Sequence, residues 1–295
     1  MKLGFIGLGR MGSNMVLNLL DHKHKPVVYN RNSKITKKFE KKTPTSYSYQ
    51  EMISKLPKRK IIWLMITSKA VDSIIKDLIP FLKKGDILID GGNSYFKDSI
   101  RRHNQLRKHK IYFLDVGTSG GIEGARNGAC MMIGGEKKIL ELTEKLFKDM
   151  CVKDGYGYMG ESGAGHYVKM VHNGIEYGMM SAISEGIEAI NKKKNKFKTN
   201  LNEVTKVYSN GSIIEGRLMS WTRKGMKKPY FKNISGKVPK GETEREMEEL
   251  TKIANMPVLK QAIKERKKTR KKPSEFGKII SVMRDEFGGH KFSKN

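Results

Sequence analysis

The stretch LGFIGLGRMG, residues 3–12, decides the fold of the first part of this chain. Its apolar start has the length of a short strand, its three glycines are spaced G-x-G-x-x-G, and helix-like periodicity follows as far as Leu20. A glycine turn between a strand and a helix lets backbone N–H groups and the helix dipole face a pyrophosphate. We therefore predict a dinucleotide-binding turn; a plain turn is the alternative, because the glycine spacing alone is weak evidence.

The end of the next predicted strand, 27–29, bears on which dinucleotide is bound. NAD-specific sites place Asp or Glu there, where the carboxylate accepts a hydrogen bond from the ribose 2′-hydroxyl. This chain has Asn30, Arg31 and Asn32 instead. A carboxylate would repel a 2′-phosphate, whereas Arg31 can pair with one, so the sequence favours NADP and leaves NAD possible. The alternative is that Arg31 is an ordinary surface arginine.

Further apolar runs alternate with helix-like or loop segments, a pattern typical of a parallel sheet with crossover helices. The predicted strands are 3–6, 27–29, 61–66, 87–90, 111–115 and 129–133, followed by a helix at 138–150. Beyond Gly160 the strand pattern stops, and helices are predicted at 168–191, 201–208, 213–224, 244–254 and 258–270. The predicted fold class is therefore α/β: a Rossmann-like, doubly wound parallel sheet in residues 1–160, followed by an all-α domain in residues 161–295.

Composition narrows the class of protein. The chain has 295 residues, enough for about two domains, and a formal net charge of +29. Its basic runs, 192–198 and 264–272, lack interleaved aromatics, so we interpret them as solvated surface rather than as a nucleic-acid site. No apolar run approaches the ~20 residues of a membrane span and no signal-like segment precedes the first strand, which predicts a cytoplasmic protein. Cys130 and Cys151 form no CxxC pair, so neither a metal site nor a disulfide framework is expected.

Two glycine-rich loops, GGNS at 91–94 and TSGG at 118–121, directly follow predicted strands. Open α/β sheets bind ligands at the carboxyl ends of their strands. Glycines there let backbone amides approach an anion, while Asn93 and Ser119 add side-chain hydrogen bonds. We expect both loops to bind ligands, with bare turns as the alternative.

Residues 163–178, GAGHYVKMVHNGIEYG, put polar groups where a helix normally turns an apolar face inward. At offsets 0, +3, +4, +7 and +8 stand Lys169, His172, Asn173, Glu176 and Tyr177. Such a cluster needs a polar partner, and the simplest is a polar substrate. Lys169 can act as a base when burial leaves part of it neutral, and Glu176 can supply a proton. The alternative is a solvated pair of charges, and His166 is expected to be structural.

On these residues the chain resembles the decarboxylating 6-phosphogluconate dehydrogenases, and specifically their short form with a reduced helical domain. The resemblance runs from Met1 to His290. It is carried by the segments GLGRMG, ILIDGGNSYFKDS, FLDVGTSGGIEGARNGACMMIGG, GAGHYVKMVHNGIEYG, PVLKQAIKERKKTRKKPSEFGKI and MRDEFGGH. Several long motifs in family order make it specific.

The resemblance implies a role for each matching residue. Lys169 would be the general base and later acid, and Glu176 the acid that protonates the product carbon. The substrate would be held by Asn93, Ser119, Gly120, Gly121, His172, Asn173, Tyr177, Lys240, Arg284 and His290. The cofactor, without a metal, would be held by Gly7, Leu8, Gly9, Arg10, Met11, Gly12, Asn30, Arg31, Asn32 and Asn93. Because the family's tail residues reach the neighbouring subunit's site, Arg284 and His290 imply a homodimer or homotetramer with exchanged tails.

The chain also departs from the family pattern. Where the long form has a phosphate-binding arginine after its Ile-Ile pair, this chain has Glu215, and Arg217 is the candidate replacement. Arg245-Glu246 stands in place of the family's tryptophan-threonine. Asn32 replaces the threonine of Asn-Arg-Thr, which weakens the NADP prediction slightly.

The resemblance implies one reaction, a step of the pentose phosphate pathway. 6-Phospho-D-gluconate would be oxidised at C3, and the 3-keto acid would lose CO2 and be protonated to D-ribulose 5-phosphate. A β-keto acid decarboxylates without a metal because its carbonyl accepts the electrons. Two alternatives stay open: another β-hydroxyacid dehydrogenase, of the 3-hydroxyisobutyrate type, and a catalytically inactive nucleic-acid-binding protein.

Overall fold

The computed structural model describes residues 1–241 and 243–293. The chain divides into two compact units, the first ending at Lys169 and the second beginning at Met170. The predicted boundary after Gly160 lies at the end of the last strand, whereas the division between the two units falls within a long helix.

The first unit is built on a seven-stranded sheet in the order β2-β1-β3-β4-β5-β6-β7. The strands are β1 Lys2–Ile6, β2 Lys25–Tyr29, β3 Ile61–Leu64, β4 Ile87–Asp90, β5 Tyr112–Ser119, β6 Ala129–Gly135 and β7 Cys151–Gly160. The helices are α1 Arg10–Asp21, α2 Ser33–Lys37, α3 Tyr49–Ser54, α4 Ser68–Leu78, α5 Phe96–Lys108, α6 Gly121–Asn127 and α7 Lys137–Met150. The predicted Rossmann-like α/β class is confirmed.

The chain reverses its direction of sheet growth at β1. From β1 it passes to β2 on one side and then crosses to β3 on the other, and both neighbours run parallel to β1. Open α/β sheets bind their ligands at such a switch point, outside the carboxyl ends of the strands. Apolar side chains fill both faces of the sheet, with Phe5 and Trp63 in one cluster and Ile62 and Leu64 in the other. The glycine turn therefore leaves the sheet at its ligand-binding edge.

Two features of the sheet differ from the prediction. β6 runs antiparallel to β5, because the segment 120–128 between them is shorter than the dozen or more residues that a parallel crossover needs. β7, which is parallel to β6, was not predicted at all. Its sequence CVKDGYGYMG has no alternating apolar pattern, and its exposed residues are those of an edge strand.

The second unit is helical, as predicted. Helix α8 Ala164–Phe197 begins in the first unit and is followed by α9 Leu201–Tyr208, α10 Arg217–Met226, α11 Glu244–Ile253, α12 Pro257–Lys271 and α13 Glu275–Gly288. The core of the second unit joins α8 residues Met180 and Ile187 to α13 residues such as Ile279 and Met283. Within residues 1–241 and 243–293, no helix is long and apolar enough to cross a membrane.

In the second unit one predicted helix boundary was wrong and one helix was not predicted. The helix predicted at 213–224 begins only at Arg217, and Ile213 and Ile214 are exposed in the preceding loop. No helix was predicted after residue 270, yet α13 forms there and ends on Gly289 in the left-handed conformation. Arg284 lies in the last turns of this helix.

Candidate active site

The glycine turn after β1 is shaped by contacts that allow no side chain at two of its three glycines. Gly7 has φ +102° and its N–H donates to the Tyr29 carbonyl at 3.0 Å. A Cβ on Gly12 would stand 1.9 Å from the Gly7 carbonyl oxygen, whereas a Cβ on Gly9 would meet nothing within 4 Å. Gly9 also caps α1, which has no acidic residue in its first turn. The residues present therefore fit a pyrophosphate approaching at Gly9 and the amino end of α1.

Asn30, Arg31 and Asn32, the residues predicted to bind near the ribose of the cofactor, make different contacts. Asn30 Oδ1 accepts a hydrogen bond from the Leu8 N–H at 3.0 Å, so this side chain holds the glycine turn in shape. Asn32 caps α2 by accepting from the Lys34 N–H at 3.1 Å. Arg31 is exposed between them. Asn32 is also exposed, but its side chain is already engaged in capping α2, whereas Arg31 is exposed beside the turn.

The loop after β4, which carries Asn93, is backed by a polar network that is buried at Asp90, Ser94 and Arg102 and reaches the surface at Asp72. Asp90 Oδ2 accepts from Ser94 Oγ at 2.8 Å and from Arg102 Nη1 at 3.2 Å. Arg102 Nε also donates to Asp72 Oδ1 at 2.9 Å. Because every member has a partner, this network fixes the loop that presents Asn93.

The loop after β5 is equally constrained. Gly120 and Gly121 both have positive φ, +111° and +65°, where other residues would be strained. Thr118 Oγ1 donates to the Gly91 carbonyl at 3.3 Å and so ties this loop to the loop after β4. Ser119 is the last residue of β5 and is half-buried. The structure thus brings the two predicted substrate loops together at one edge of the sheet.

Lys169 lies on α8 and is only 9% exposed. A Cβ on Gly117 of β5 would come within 2.3 Å of Lys169 Cβ, so the helix and the strand are in direct contact there. Three and four residues earlier, His166 and Gly165 also pack against the sheet. His166 is buried and hydrogen bonded within the first unit, as its expected structural role requires.

The remaining polar groups of α8 lie in the second unit. His172 Nδ1 lies 3.3 Å from Asn173 Oδ1 and 3.9 Å from Glu176 Oε2. Asn173 is buried, while His172 and Glu176 are half-buried. Because α8 is one continuous helix, Lys169 and Glu176 stand on the same helical face about two turns apart.

Tyr177 is the centre of a cationic cluster in the second unit. The guanidinium carbon of Arg266 lies 3.5 Å from the centre of the Tyr177 ring. Burial lowers the pKa of Arg266 to about 10, and the nearby charge of Arg284 adds to the lowering. Burial likewise lowers the pKa of Arg284, and Arg270 adds to the effect. Arginines held under such conditions favour an anion between them.

Several groups of the second unit lie near the Tyr177 hydroxyl. That hydroxyl lies 3.2 Å from Thr243 Oγ1, and Arg284 Nη1 donates to the Pro239 carbonyl at 3.0 Å. A Cβ on Gly241 would stand 3.4 Å from Arg284 Nη2 and 3.7 Å from the Tyr177 hydroxyl. Lys240, between Pro239 and Gly241, is exposed.

Glu215, at the position of the family's phosphate-binding arginine, and Arg217, the candidate replacement, both make contacts of another kind. Glu215 is exposed and its side chain accepts from the Gly211 N–H. The Arg217 guanidinium lies over the Trp221 ring at 5.4 Å. His290 is exposed; its backbone N–H donates to the Arg284 carbonyl at 3.3 Å and its ring lies 5.9 Å from that of Phe287. Arg284 thus lies near Tyr177 within the chain.

Arg266 is the residue that the sequence analysis missed. It lies in the basic run 264–272, which was interpreted as solvated surface, but it is only 4% exposed. A signal was present: Arg266 continues the spacing of Leu259, Ala262 and Ile263, the buried stripe of α12. A charged residue at a buried position of a helix is also the feature that distinguishes Lys169.

No group of three His, Cys, Asp or Glu side chains that could hold a metal occurs in the part of the chain that the structure describes.

Comparison with known families gives two matches. The family described as the NAD binding domain of 6-phosphogluconate dehydrogenase matches residues 2–160. The 6-phosphogluconate dehydrogenase C-terminal domain matches residues 165–193, which include Lys169 and Tyr177.

Individual relatives agree with these matches. The chain is 39% identical to the Bacillus subtilis protein YqeC, provisionally named a 6-phosphogluconate dehydrogenase, and the alignment covers 100% of both chains. It is 33% identical to the NAD(+)-dependent, decarboxylating 6-phosphogluconate dehydrogenase of Haloferax volcanii, over 100% of this chain and 99% of that protein. With the NADP(+)-dependent enzyme of Bacillus subtilis the identity is 44%, over 62% of this chain and 41% of that protein. The chain therefore spans less than half the length of such longer relatives.

Solved structures show the same relationship. Plasmodium falciparum 6-phosphogluconate dehydrogenase, studied in complexes with NADP+ and with 6-phosphogluconate, superimposes with a TM-score of 0.83 at 29% identity, over 92% of this chain and 62% of that chain. Mycobacterium tuberculosis 3-hydroxyisobutyrate dehydrogenase gives a TM-score of 0.73 at 18% identity, over 96% and 99% of the two chains, a likeness that shows the fold alone.

Proposed function

This chain belongs to the 6-phosphogluconate dehydrogenase family, and from that premise we propose that it converts 6-phospho-D-gluconate to D-ribulose 5-phosphate and CO2. The reaction reduces NADP, or NAD as the less favoured cofactor, and is a step of the pentose phosphate pathway. Two named relatives use different nicotinamide nucleotides, so the choice for this chain rests on Arg31.

One observation carries the substrate assignment: the cationic cluster of Arg266 and Arg284 beside Tyr177. The buried guanidinium of Arg266, beside the half-buried Arg284, is costly unless an anion compensates it, and Arg266 Nε has no hydrogen-bond partner among the described residues. A phosphate offers several strong acceptor oxygens to such donors. This cluster therefore supports a phosphorylated substrate over a simple hydroxyacid, and it supplies the cation that Glu215 cannot.

The polar groups of α8 account for the chemistry. When bound, the nicotinamide cofactor accepts a hydride from C3 of the substrate. Neutral Lys169 removes the proton of the 3-hydroxyl group and, now an ammonium, stabilises the enolate that forms as CO2 leaves. Glu176 donates a proton to C1, and His172 and Asn173 orient the sugar acid. Asn93, Ser119, Gly120 and Gly121 bind it from the loops after β4 and β5, while Lys240, Arg284 and His290 assist at the phosphate.

A second candidate is a β-hydroxyacid dehydrogenase of the 3-hydroxyisobutyrate type, because enzymes with that fold superimpose on nearly the whole chain. Such a substrate has no phosphate and would leave Arg266 Nε without an acceptor. A nucleic-acid-binding protein without catalysis is the third candidate, which only the charge of +29 favours. Assembly as a homodimer or homotetramer remains part of the proposal and is measurable by analytical ultracentrifugation.

The proposal is tested by incubating the purified protein with 6-phosphogluconate and either NADP or NAD. Nucleotide reduction is followed by absorbance, CO2 release is measured in parallel, and Lys169→Ala serves as the inactive control. Reduction with release of CO2, both lost in the variant, is expected. Reduction of nucleotide by 3-hydroxyisobutyrate but not by 6-phosphogluconate would replace the proposal with the second candidate. Oligonucleotide binding without turnover of either substrate would support the third.

A further inference from the structure

Asp115 lies on β5 with none of its surface exposed, at 0%. Its Oδ1 accepts a hydrogen bond from the Gly163 N–H at 2.7 Å, and its Oδ2 accepts from the His166 N–H at 2.9 Å. Both amides belong to the amino end of α8, which has no acidic residue in its own first turn. A buried carboxylate from the sheet therefore caps the helix that carries Lys169.

The first turns of this helix pack closely against the sheet. A Cβ on Gly165 would lie 2.4 Å from the Asp115 carbonyl oxygen, and a Cβ on Gly134 would lie 2.7 Å from Asp115 Oδ1. One turn along, Gly117 lies against the Cβ of Lys169. Because the helix backbone at Gly165 lies against the backbone of β5, and the nearest atom of Lys169 at Gly117 is its Cβ, a displaced cap would move Lys169 rather than be absorbed by flexible ends of side chains.

His166 extends the same anchor to the substrate loops. Its Nε2 lies 3.1 Å from the Gly92 carbonyl and donates to it, which leaves Nδ1 to accept from Ser99 Oγ at 2.7 Å. Gly92 is the neighbour of Asn93. The first turn of α8 is thereby joined to the loop after β4, so Lys169 and Asn93 share one buried support.

We propose that Asp115 is a positioning residue: by capping α8 it sets the place of Lys169 relative to the loops after β4 and β5. Asp115 touches neither substrate nor cofactor in this role. The kinetic part of the proposal rests on the proposed function, because it requires Lys169 to be the base. The structural part, the cap itself, does not.

Asp86 offers a matched control for the variant Asp115→Asn. Asp86 is also buried, at 1% exposed, and it also accepts two backbone hydrogen bonds, from Lys60 and Lys83, each at 2.8 Å. It lies just before β4, at the opposite end of the strand from the substrate loops. We expect Asp115→Asn and Asp86→Asn to lower the melting temperature by similar amounts. Only Asp115→Asn should lower kcat, by about tenfold to a hundredfold, with KM for the cofactor changed less than about twofold.

Equal losses of kcat in the two variants, or none in Asp115→Asn, would overturn the proposal. If Asp115→Asn does not fold, Ser99→Ala removes the hydroxyl that holds His166, and Ser46→Ala is its buried control, since Ser46 is 0% exposed and bonds the Val28 carbonyl. A several-fold loss of kcat in Ser99→Ala alone is then expected. The same kcat in both serine variants would contradict the proposal.

Amide hydrogen exchange separates this inference from the proposed function. Residues 163–169 should exchange faster in Asp115→Asn and remain protected in Asp86→Asn. This readout needs no turnover, so a wild-type protein inactive towards 6-phosphogluconate would defeat the proposed function and still test the cap. Unchanged protection of 163–169 in Asp115→Asn would refute the cap whatever the enzyme's activity.

Discussion

The guanidinium of Arg266 lies over the ring of Tyr177, 3.5 Å from its centre, in the interior of the second unit. Stacking of this kind satisfies the flat face of the guanidinium but not its N–H groups. Arg266 Nη2 is 3.2 Å from the sulfur of Met180, a weak acceptor. The arginine is therefore kept in the protein interior with donors that a bound anion would use.

The first prediction concerns this arginine. Arg266→Met should raise KM for 6-phosphogluconate roughly tenfold to a hundredfold, because charge-assisted hydrogen bonds to the phosphate are lost. Stability should be unchanged or slightly higher, since a poorly compensated buried charge is replaced by an apolar side chain. Steady-state kinetics and thermal unfolding check both parts, with Arg223→Met, at a half-buried position of α10, as a control. An unchanged KM would remove Arg266 from the phosphate site.

The second prediction contrasts two glycines of the turn. Gly9→Ala should leave stability nearly unchanged, since its Cβ meets nothing within 4 Å, but should weaken nucleotide binding by about tenfold or more because the methyl group occupies the approach of the pyrophosphate. Gly12→Ala should instead destabilise the fold by about 1–3 kcal/mol, because its Cβ would stand 1.9 Å from the Gly7 carbonyl. Nucleotide titration by calorimetry and thermal unfolding separate the two effects. Tight nucleotide binding by Gly9→Ala would show that the pyrophosphate does not bind at this turn.

The third prediction uses the contact between β5 and Lys169. Gly117→Ala would bring a methyl group within 2.3 Å of Lys169 Cβ, so both kcat and the melting temperature should fall, the latter by an amount corresponding to about 1–3 kcal/mol. Gly186 lies on α8, the helix that carries Lys169, and a Cβ there would meet nothing within 4 Å. Gly186→Ala should therefore stabilise the fold by about 0.5–1 kcal/mol and leave kcat unchanged. Thermal unfolding and initial rates of Gly117→Ala and Gly186→Ala are compared with those of the wild type. Full activity in Gly117→Ala would show that Lys169 tolerates displacement.

The sequence was sufficient for the features whose pattern is local. Strand, glycine turn and helix at residues 3–12 are encoded by neighbours, and the polar face of α8 follows from helical spacing alone. β7 was missed because glycines and charged residues, which are rare in strands, occupy much of its sequence CVKDGYGYMG. The strand is stabilised by its pairing with β6, which the local sequence does not indicate.

The site residues that escaped prediction depend on long-range contacts. Nothing near Arg266 in the sequence says that it faces Tyr177, and its basic neighbours suggested solvent. Asp115 likewise lies in an ordinary strand, and its role as a cap appears only when α8 packs on β5. In both cases the signal was a charged residue at an apolar position of a regular element, which is the pattern to examine in related sequences.

The last prediction concerns acid stability and rests on Asp72. Burial would raise the pKa of this carboxyl group, but hydrogen bonds from Arg102 and Arg101 outweigh it and lower the pKa from 3.8 to about 2. Between those values the unfolded chain binds more protons than the folded chain, so the stabilisation is present above about pH 4 and is lost as pH falls towards 2. Asp72→Asn should therefore be less stable than the wild type near pH 6, and the difference should shrink below about pH 4. Thermal midpoints measured between pH 6 and 3 test this, with Asp21→Asn as a surface control whose partner Arg126 is also exposed. A difference that stays constant down to pH 3 would show that the Asp72 carboxylate contributes nothing through its charge, and the network behind Asn93 would then depend on Asp90 and Arg102 alone.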